Sequence, residues 1–293
     1  MKTEWISCNT CGADDYQIMA YAHEWPIGKC GQCGQVYVNP IPVFEAGAEF
    51  SSISKEFQYT RFMHNEITPQ ILGHDRTQLK QHLADIRRLT DRGWMHVRFL
   101  DVGCGSGASV KAATEMGWEA TGIDIDAELI ATGRQQLGVD LRCTTLLDAN
   151  LPDAFFHFVR LRDVIEHLPN PYATLLEIKR ILAPGGVLLL ATPNEDGLPT
   201  QLRLWLGGKP TRVATVKPPH HLHGFTPKTL AMILQRTGFV SMEVKTTTPV
   251  DPNYVTANNM RAQGKYAYVL FWSGARLLGR GSMLVAWASK QGV

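Results

Sequence analysis

Three groups of residues in this chain have types and spacings that can do chemistry. The first is sulfur. Cys8-x-x-Cys11 and Cys30-x-x-Cys33 are two pairs separated by 18 residues, each followed by glycine. Paired knuckles of this kind let four thiolates close tetrahedrally on one zinc ion, with glycine permitting N–H groups to approach sulfur. Such a site is closed, so the zinc is expected to be structural and to supply folding energy to a segment too small for a core of its own. A thioredoxin-like redox role has no matching context around these pairs. The second group is the loop in "FLDVGCGSGAS", where Gly103, Gly105 and Gly107 alternate after Asp101, with Cys104 between them. Glycines there allow a backbone to approach a nucleotide-like ligand closely, beside the free N–H groups of the next helix. The third group is histidine: His167 beside Glu166 in "IEHLPNP", and His220-His221-x-His223 after a proline-rich stretch. Histidine is the natural base near neutral pH, and Glu166 is either a second general base or a group that orients backbone. Three histidines so close also make a candidate metal cluster, although the sequence shows no companion carboxylates for it.

The elements that must position these residues alternate. "VRFLDV", "EATGID", "VDLRC", "FFHFVRL" and "GVLLLAT" read as strands, with "VSMEV" and "SMLVAWAS" closing the series. Between them lie helical stretches: "SVKAATEMG" stopped by Gly117, "AELIATGRQQLG" capped by Asp126 and ended by Gly138, "PYATLLEIKRIL", and "PKTLAMILQRTG" after Thr226. Before them, Leu79, Leu83, Ile86 and Leu89 mark one face of a helix, which Gly93 closes. This alternation predicts an α/β fold, a Rossmann-like doubly wound, mostly parallel sheet. The expected organisation is a zinc ribbon over 1–45, a helical linker or cap over 46–92 and the sheet domain over 93–293, with a lid loop at about 194–224. That loop carries Arg203, Trp205, Lys209, Arg212 and Lys217, which favour an anionic acceptor as much as a solvated surface. Phe50, Phe57 and Tyr59 are candidates to fold over the ligand from the other side.

Composition narrows the partners. At 293 residues, with 44% hydrophobic and 19% charged content, the chain is an ordinary globular protein with a net charge of +2. Residues 1–40 hold only Lys2 and Lys29 against Glu4, Asp14, Asp15 and Glu24, which counts against a phosphate-binding ribbon. No apolar run reaches membrane-spanning length; "YAYVLFWSGARLL" is short and carries Arg276, reading as a buried or interfacial helix. The N-terminus lacks the apolar core of a secretory signal, and a cytoplasmic location with reduced cysteines is expected. Cys143 reads as core, and His23, His64, His74, His82 and His96 as ordinary surface or interface residues.

Two cofactors compete for the glycine loop. Gly103-x-Gly105-x-x-Ala108 fits a dinucleotide fingerprint, with Asp124 placed as the ribose-binding acid. Against it, Asp101 adds a carboxylate that a pyrophosphate would not welcome, whereas a cationic sulfonium with an α-amino group would. That charge argument points to S-adenosylmethionine.

"FLDVGCGSG" resembles the first motif of the class I S-adenosylmethionine-dependent methyltransferases. "GID" at 122–124, "RDVIEHLPNP" at 162–171, "ILAPGGVLLLATPN" at 181–194 and "HHLHGFTPKTLAMILQRTGF" at 220–239 resemble further segments of that superfamily, in order, over residues 93–293. The resemblance implies that Gly103 to Gly107, with Cys104, pass the methionine moiety, that Asp124 accepts both ribose hydroxyls, and that Ile125 packs on the adenine. It places Thr145 and Leu146 at the adenine edge, although an aspartate is common in that turn, and Asp163 among the cofactor residues. His157 also departs from the family's usual aspartate. His221 aligns best with the family residue that points into the acceptor pocket, with His167 next. The implied activity is methyl transfer to a hydroxyl of a small molecule such as a sugar, nucleotide-sugar or secondary metabolite. An RNA methyltransferase docking through its ribbon, and a catalytically dead binding module, are the competing readings.

Overall fold

A computed structural model of the chain describes residues 2–43, 67–90, 96–198, 201–202, 213, 215–247, 274–275 and 278–291. Phe50, Phe57, Tyr59, His64, Gly93, Arg203, Trp205, Lys209, Arg212, Arg276 and most of "YAYVLFWSGARLL" lie outside the described residues.

Strands β1 (Thr3–Glu4), β2 (Tyr16–Ala22), β3 (Trp25–Cys30), β4 (Val36–Val38) and β5 (Ile41–Pro42) build the N-terminal ribbon. Helix α1 (Pro69–Thr90) follows, with Leu79 and Ile86 fully buried seven residues apart, two turns along one face. The main domain then runs β6 (Arg98–Val102), α2 (Ala108–Glu115), β7 (Glu119–Asp124), α3 (Ala127–Leu137), β8 (Asp140–Cys143) and β9 (Phe156–Arg162). A 3-10 turn at Ile165–His167, α4 (Pro171–Ile181), β10 (Leu182–Pro193), β11 (His223–Gly224), α5 (Pro227–Arg236), β12 (Val240–Thr247) and β13 (Met283–Ser289) complete it.

The caps anticipated from sequence are present. Asp126 accepts from the N–H groups of Glu128 and Leu129, Thr226 and Thr229 form a capping box, and Gly117 and Gly138 take positive φ.

Seven strands form one sheet in the order β12-β13-β10-β9-β6-β7-β8. β6 to β10 pair in parallel, and β13 runs antiparallel between β10 and β12. Buried on both faces, the central strands alternate between two cores. Phe99, Val187 and Leu189 face α1 and α2, whereas Leu100, Leu188 and Leu190 face α4 and α5. This is the Rossmann-like three-layer fold that the alternating pattern predicts.

One connection departs from the expected division into domains. β11, which sits in the segment read as a lid, pairs antiparallel with β4 and makes the ribbon's sheet four-stranded, β11-β4-β3-β2. Gln35 Nε2 donates to the Gly224 carbonyl at 3.0 Å, and the Arg236 guanidinium donates to the Asn9 carbonyl at 2.7 Å. The ribbon is therefore stitched to the edge of the main domain rather than tethered beside it.

Candidate active site

The chain order reverses between β6 and β9, and ligands of open α/β sheets bind at the carboxyl ends beside such a switch point. The glycine loop leaves β6 at that place. Gly103, Gly105 and Gly107 all have positive φ, and a Cβ at Gly103 would stand 2.2 Å from Val164 Cγ2. Only glycine passes there without strain. The loop is tied to the next strand: Gly105 N–H donates to Asp124 Oδ2 at 2.8 Å, and Asp126 N–H donates to Oδ1 at 2.9 Å. Burial raises the Asp124 carboxyl, opposed by those two N–H groups. Each oxygen keeps a second lone pair, which suits a pair of vicinal hydroxyls. Ile125 is partly exposed beside it.

Asp101 does a different job from the one its charge suggested. Its carboxylate is buried and receives Arg160 Nε and Nη2, each at 2.7 Å, and the Ser109 hydroxyl. Arg160 projects from β9 directly opposite Asp101 in the sheet register, and Asp75 on α1 lies 3.8 Å from its Nη1. The carboxylate is thus neutralised within the protein and fixes the loop and the start of α2. The charge argument for a sulfonium does not survive this pairing. The sequence signal for the partner was an arginine inside the apolar strand "FFHFVRL".

The turn after β8 also differs from expectation. Leu146 is 5% exposed and packs into the core with Leu100 and Leu151, because an apolar side chain at that register has the sheet's interior to fill. Thr145 stays exposed and donates its hydroxyl to Asp148 at 2.5 Å. Cys104 is buried, and Cys143 is exposed rather than in the core. Asp163, at the end of β9, holds a φ of 53°, a strained conformation of the kind concentrated at ligand sites.

Histidines form the other half of this edge. His167, His220 and His221 meet with ring centroids 4.2, 4.6 and 5.2 Å apart. His167 Nδ1 donates to the His220 carbonyl and His221 Nδ1 to the Thr215 carbonyl, both at 2.9 Å. Burial, the neighbouring ring and, for His221, Lys217 lower His167 to about 3 and His221 to about 4, so both rings are neutral at pH 7 with Nε2 as the acceptor. Glu166 is buried, takes the Thr192 hydroxyl on Oε2 at 2.9 Å, and is pushed up to about 8 by burial and by Asp163. Glu166, a candidate base or orienting group from its sequence position, thus lies buried beside the histidine cluster. Glu195, unnoticed in the sequence, is buried and accepts both the N–H and the hydroxyl of Thr215, fixing the carbonyl that orients His221. His82, expected at the surface or an interface, is partly buried and packs between Phe158 and Trp287.

In the ribbon, the four cysteine sulfurs all lie within 4.8 Å of one another, with Cys8–Cys33 at 3.5 Å and Cys11–Cys30 at 3.6 Å. Gln35 N–H approaches Cys33 Sγ at 3.4 Å, and Gly12 and Gly34 turn through positive φ. Burial raises the Cys8 and Cys33 thiols, Cys33 to about 11, so a thiolate set here wants a cation at its centre. The donor set fits tetrahedral zinc.

Residues 69–244 match a family model described as a methyltransferase domain. A ubiquinone biosynthesis O-methyltransferase of Parvibaculum lavamentivorans is 31% identical over 136 residues, 44% of this chain and 53% of that protein. One from Xanthomonas campestris pv. campestris is 36% identical over 104 residues, 33% of this chain and 43% of that protein. The chain thus spans about half the length of the curated relatives it matches. A solved S-adenosylmethionine-dependent methyltransferase from Archaeoglobus fulgidus shares the fold, with a TM-score of 0.50 and 20% identity over 73% of this chain and 94% of that one. Since the family match runs through the glycine loop, Asp124 and all three clustered histidines, the chain belongs to the methyltransferase-domain family, on the fold of the class I S-adenosylmethionine-dependent enzymes.

Proposed function

We propose that this protein is an S-adenosylmethionine-dependent methyltransferase acting on a hydroxyl of a small molecule, with structural zinc in its ribbon. The observation that carries the reading is the glycine loop bound through Gly105 N–H to a partly buried Asp124 at the switch point. Asp124 would take the ribose hydroxyls of the cofactor, while Gly103, Gly105 and Gly107 would let its methionine part lie against backbone. The cofactor supplies a methyl group already activated by a sulfonium, so the protein's task is to orient the acceptor and receive its proton. His221 and His167 present neutral Nε2 atoms for that proton, each ring held in its tautomer by a backbone carbonyl. Acidic residues around the ribbon argue against RNA as the acceptor.

Calorimetric titration with S-adenosylhomocysteine, with NAD as control, tests the reading. The first should bind and the second should not; the reverse result overturns it. Asp124→Ala removes two charge-assisted hydrogen bonds and should weaken S-adenosylhomocysteine by about a hundredfold or more. His221→Ala should leave that affinity intact and slow single-turnover methyl transfer by roughly 10²–10⁴-fold; unchanged turnover would move the base to His167.

A further inference from the structure

We propose that His167, His220 and His221 form a second metal site, separate from the ribbon, that takes one divalent first-row transition ion such as Zn²⁺ or Co²⁺. One ring nitrogen from each lies within 4.8 Å of the other two, a spacing that small ring rotations close onto metal–nitrogen bonds of about 2.0–2.1 Å. Two of the rings already have the arrangement of metal-bound imidazole. The Nδ1–H groups of His167 and His221 are each spent on a backbone carbonyl at 2.9 Å, which fixes the tautomer and leaves Nε2 as a lone-pair donor.

The scaffold holds the rings before any ion arrives. The Lys217 carbonyl accepts from the N–H groups of His220 at 3.0 Å and His221 at 2.9 Å, and Leu222 N–H donates to the Glu166 carbonyl at 2.7 Å. These bonds lock the 217–222 turn against the 3-10 turn that carries His167. Glu166 Oε1 lies 3.9 Å from His167 Nε2, beside the cluster. Three imidazoles select a transition metal over Mg²⁺ or Ca²⁺, which prefer oxygen. The four-sulfur cluster, by contrast, is a closed set of soft donors.

Three protein ligands leave a coordination position for oxygen, and a hydroxyl of the acceptor is the natural occupant. In that last respect the inference rests on the methyltransferase reading; the metal binding itself does not. An ion in place would occupy those Nε2 lone pairs; it would acidify the bound hydroxyl, whose proton would then leave to solvent water instead of to an imidazole.

The test titrates Co²⁺ into the full-length protein carrying one equivalent of zinc, the amount the four thiolates would hold. The expected result is one saturable equivalent with visible d–d absorption and no thiolate-to-cobalt charge transfer, alongside one retained zinc by elemental analysis. X-ray absorption on that sample should show imidazole scattering. His220→Gln should weaken cobalt at least tenfold while the ribbon zinc stays. Cobalt that appears only with sulfur charge transfer has merely replaced ribbon zinc and overturns the proposal, as does no saturable binding. An unchanged affinity in a folded His220→Gln protein overturns it too; if that variant does not fold, the wild-type spectrum and scattering decide alone. S-adenosylhomocysteine titration of the same sample reports on the cofactor site independently, so failure of one reading is not failure of the other.

Discussion

The two halves of the proposed site, one read as holding the cofactor and the other the acceptor, are built by different means. The cofactor half is made of backbone: three glycines at positive φ, one N–H to Asp124, and a buried Asp101–Arg160 pair behind them, all within adjacent strands of one sheet. The acceptor half is made of side chains carried on turns, and those turns are pinned by partners far away in sequence. Val38 N–H donates to the Leu222 carbonyl at 2.9 Å, and β11 completes the ribbon's sheet next to His220 and His221. A strand edge can hold a ligand by itself, whereas a cluster on turns needs an outside clamp. Here the ribbon is that clamp.

The largest test of this contrast is Cys30→Ser. Structural zinc in small modules is worth on the order of 10 kcal/mol of folding energy, so losing a ligand should unfold the ribbon and release the 215–224 turn. Hydrogen exchange should rise sharply across those residues and methyl transfer should collapse. S-adenosylhomocysteine affinity should stay within about threefold; losing it would mean that the halves are one unit.

Next in size is Arg160→Met, which strands the Asp101 charge in the core. Breaking such a pair costs roughly 3–5 kcal/mol, read by urea denaturation, and ribbon zinc content should not change. A stability loss under about 1 kcal/mol would mean that the pair does not hold the loop.

At neutral pH the smallest effect should belong to neither half. Burial, with Arg160 and Arg162 nearby, lowers His82 from its usual 6.5 to about 3. The unfolded chain therefore binds the extra proton between those values, and stability contributed by the neutral ring falls as pH drops from about 6.5 toward 3. His82→Leu should flatten that slope by at most about 1.4 kcal/mol per pH unit, measured as unfolding free energy against pH. An identical slope would show that the ring is not buried as a neutral group.

The same contrast explains what the sequence displayed. Residues that act through local geometry were legible: the glycines, the caps at Asp126 and Thr226, the cysteine pairs and the two-faced apolar strands all follow from neighbours in the chain. Residues that act through a partner across the sheet were not. Asp101 looked like a ligand's counter-charge because nothing near it in sequence names Arg160, 59 positions on. Glu195 and Glu166 carry no local signature of the loops they hold, and Leu146 sat in a motif position whose register turned it into the core. His82 read as a surface or interface residue, and nothing near it in sequence told that α1 lays it between Phe158 and Trp287.

The strand that closes the ribbon's sheet also sets an order of events in time. Gln35 and Gly224 are joined by a hydrogen bond across 189 residues of chain. At translation rates of about 5–20 residues per second, the ribbon's β4 edge waits on the order of 10–40 s for its partner to be synthesised. During that interval the edge offers open hydrogen-bonding groups to any other strand. Early capture of metal by the four cysteines would hold the nascent module in shape until β11 arrives, so zinc supply during synthesis should govern the yield of correctly assembled protein.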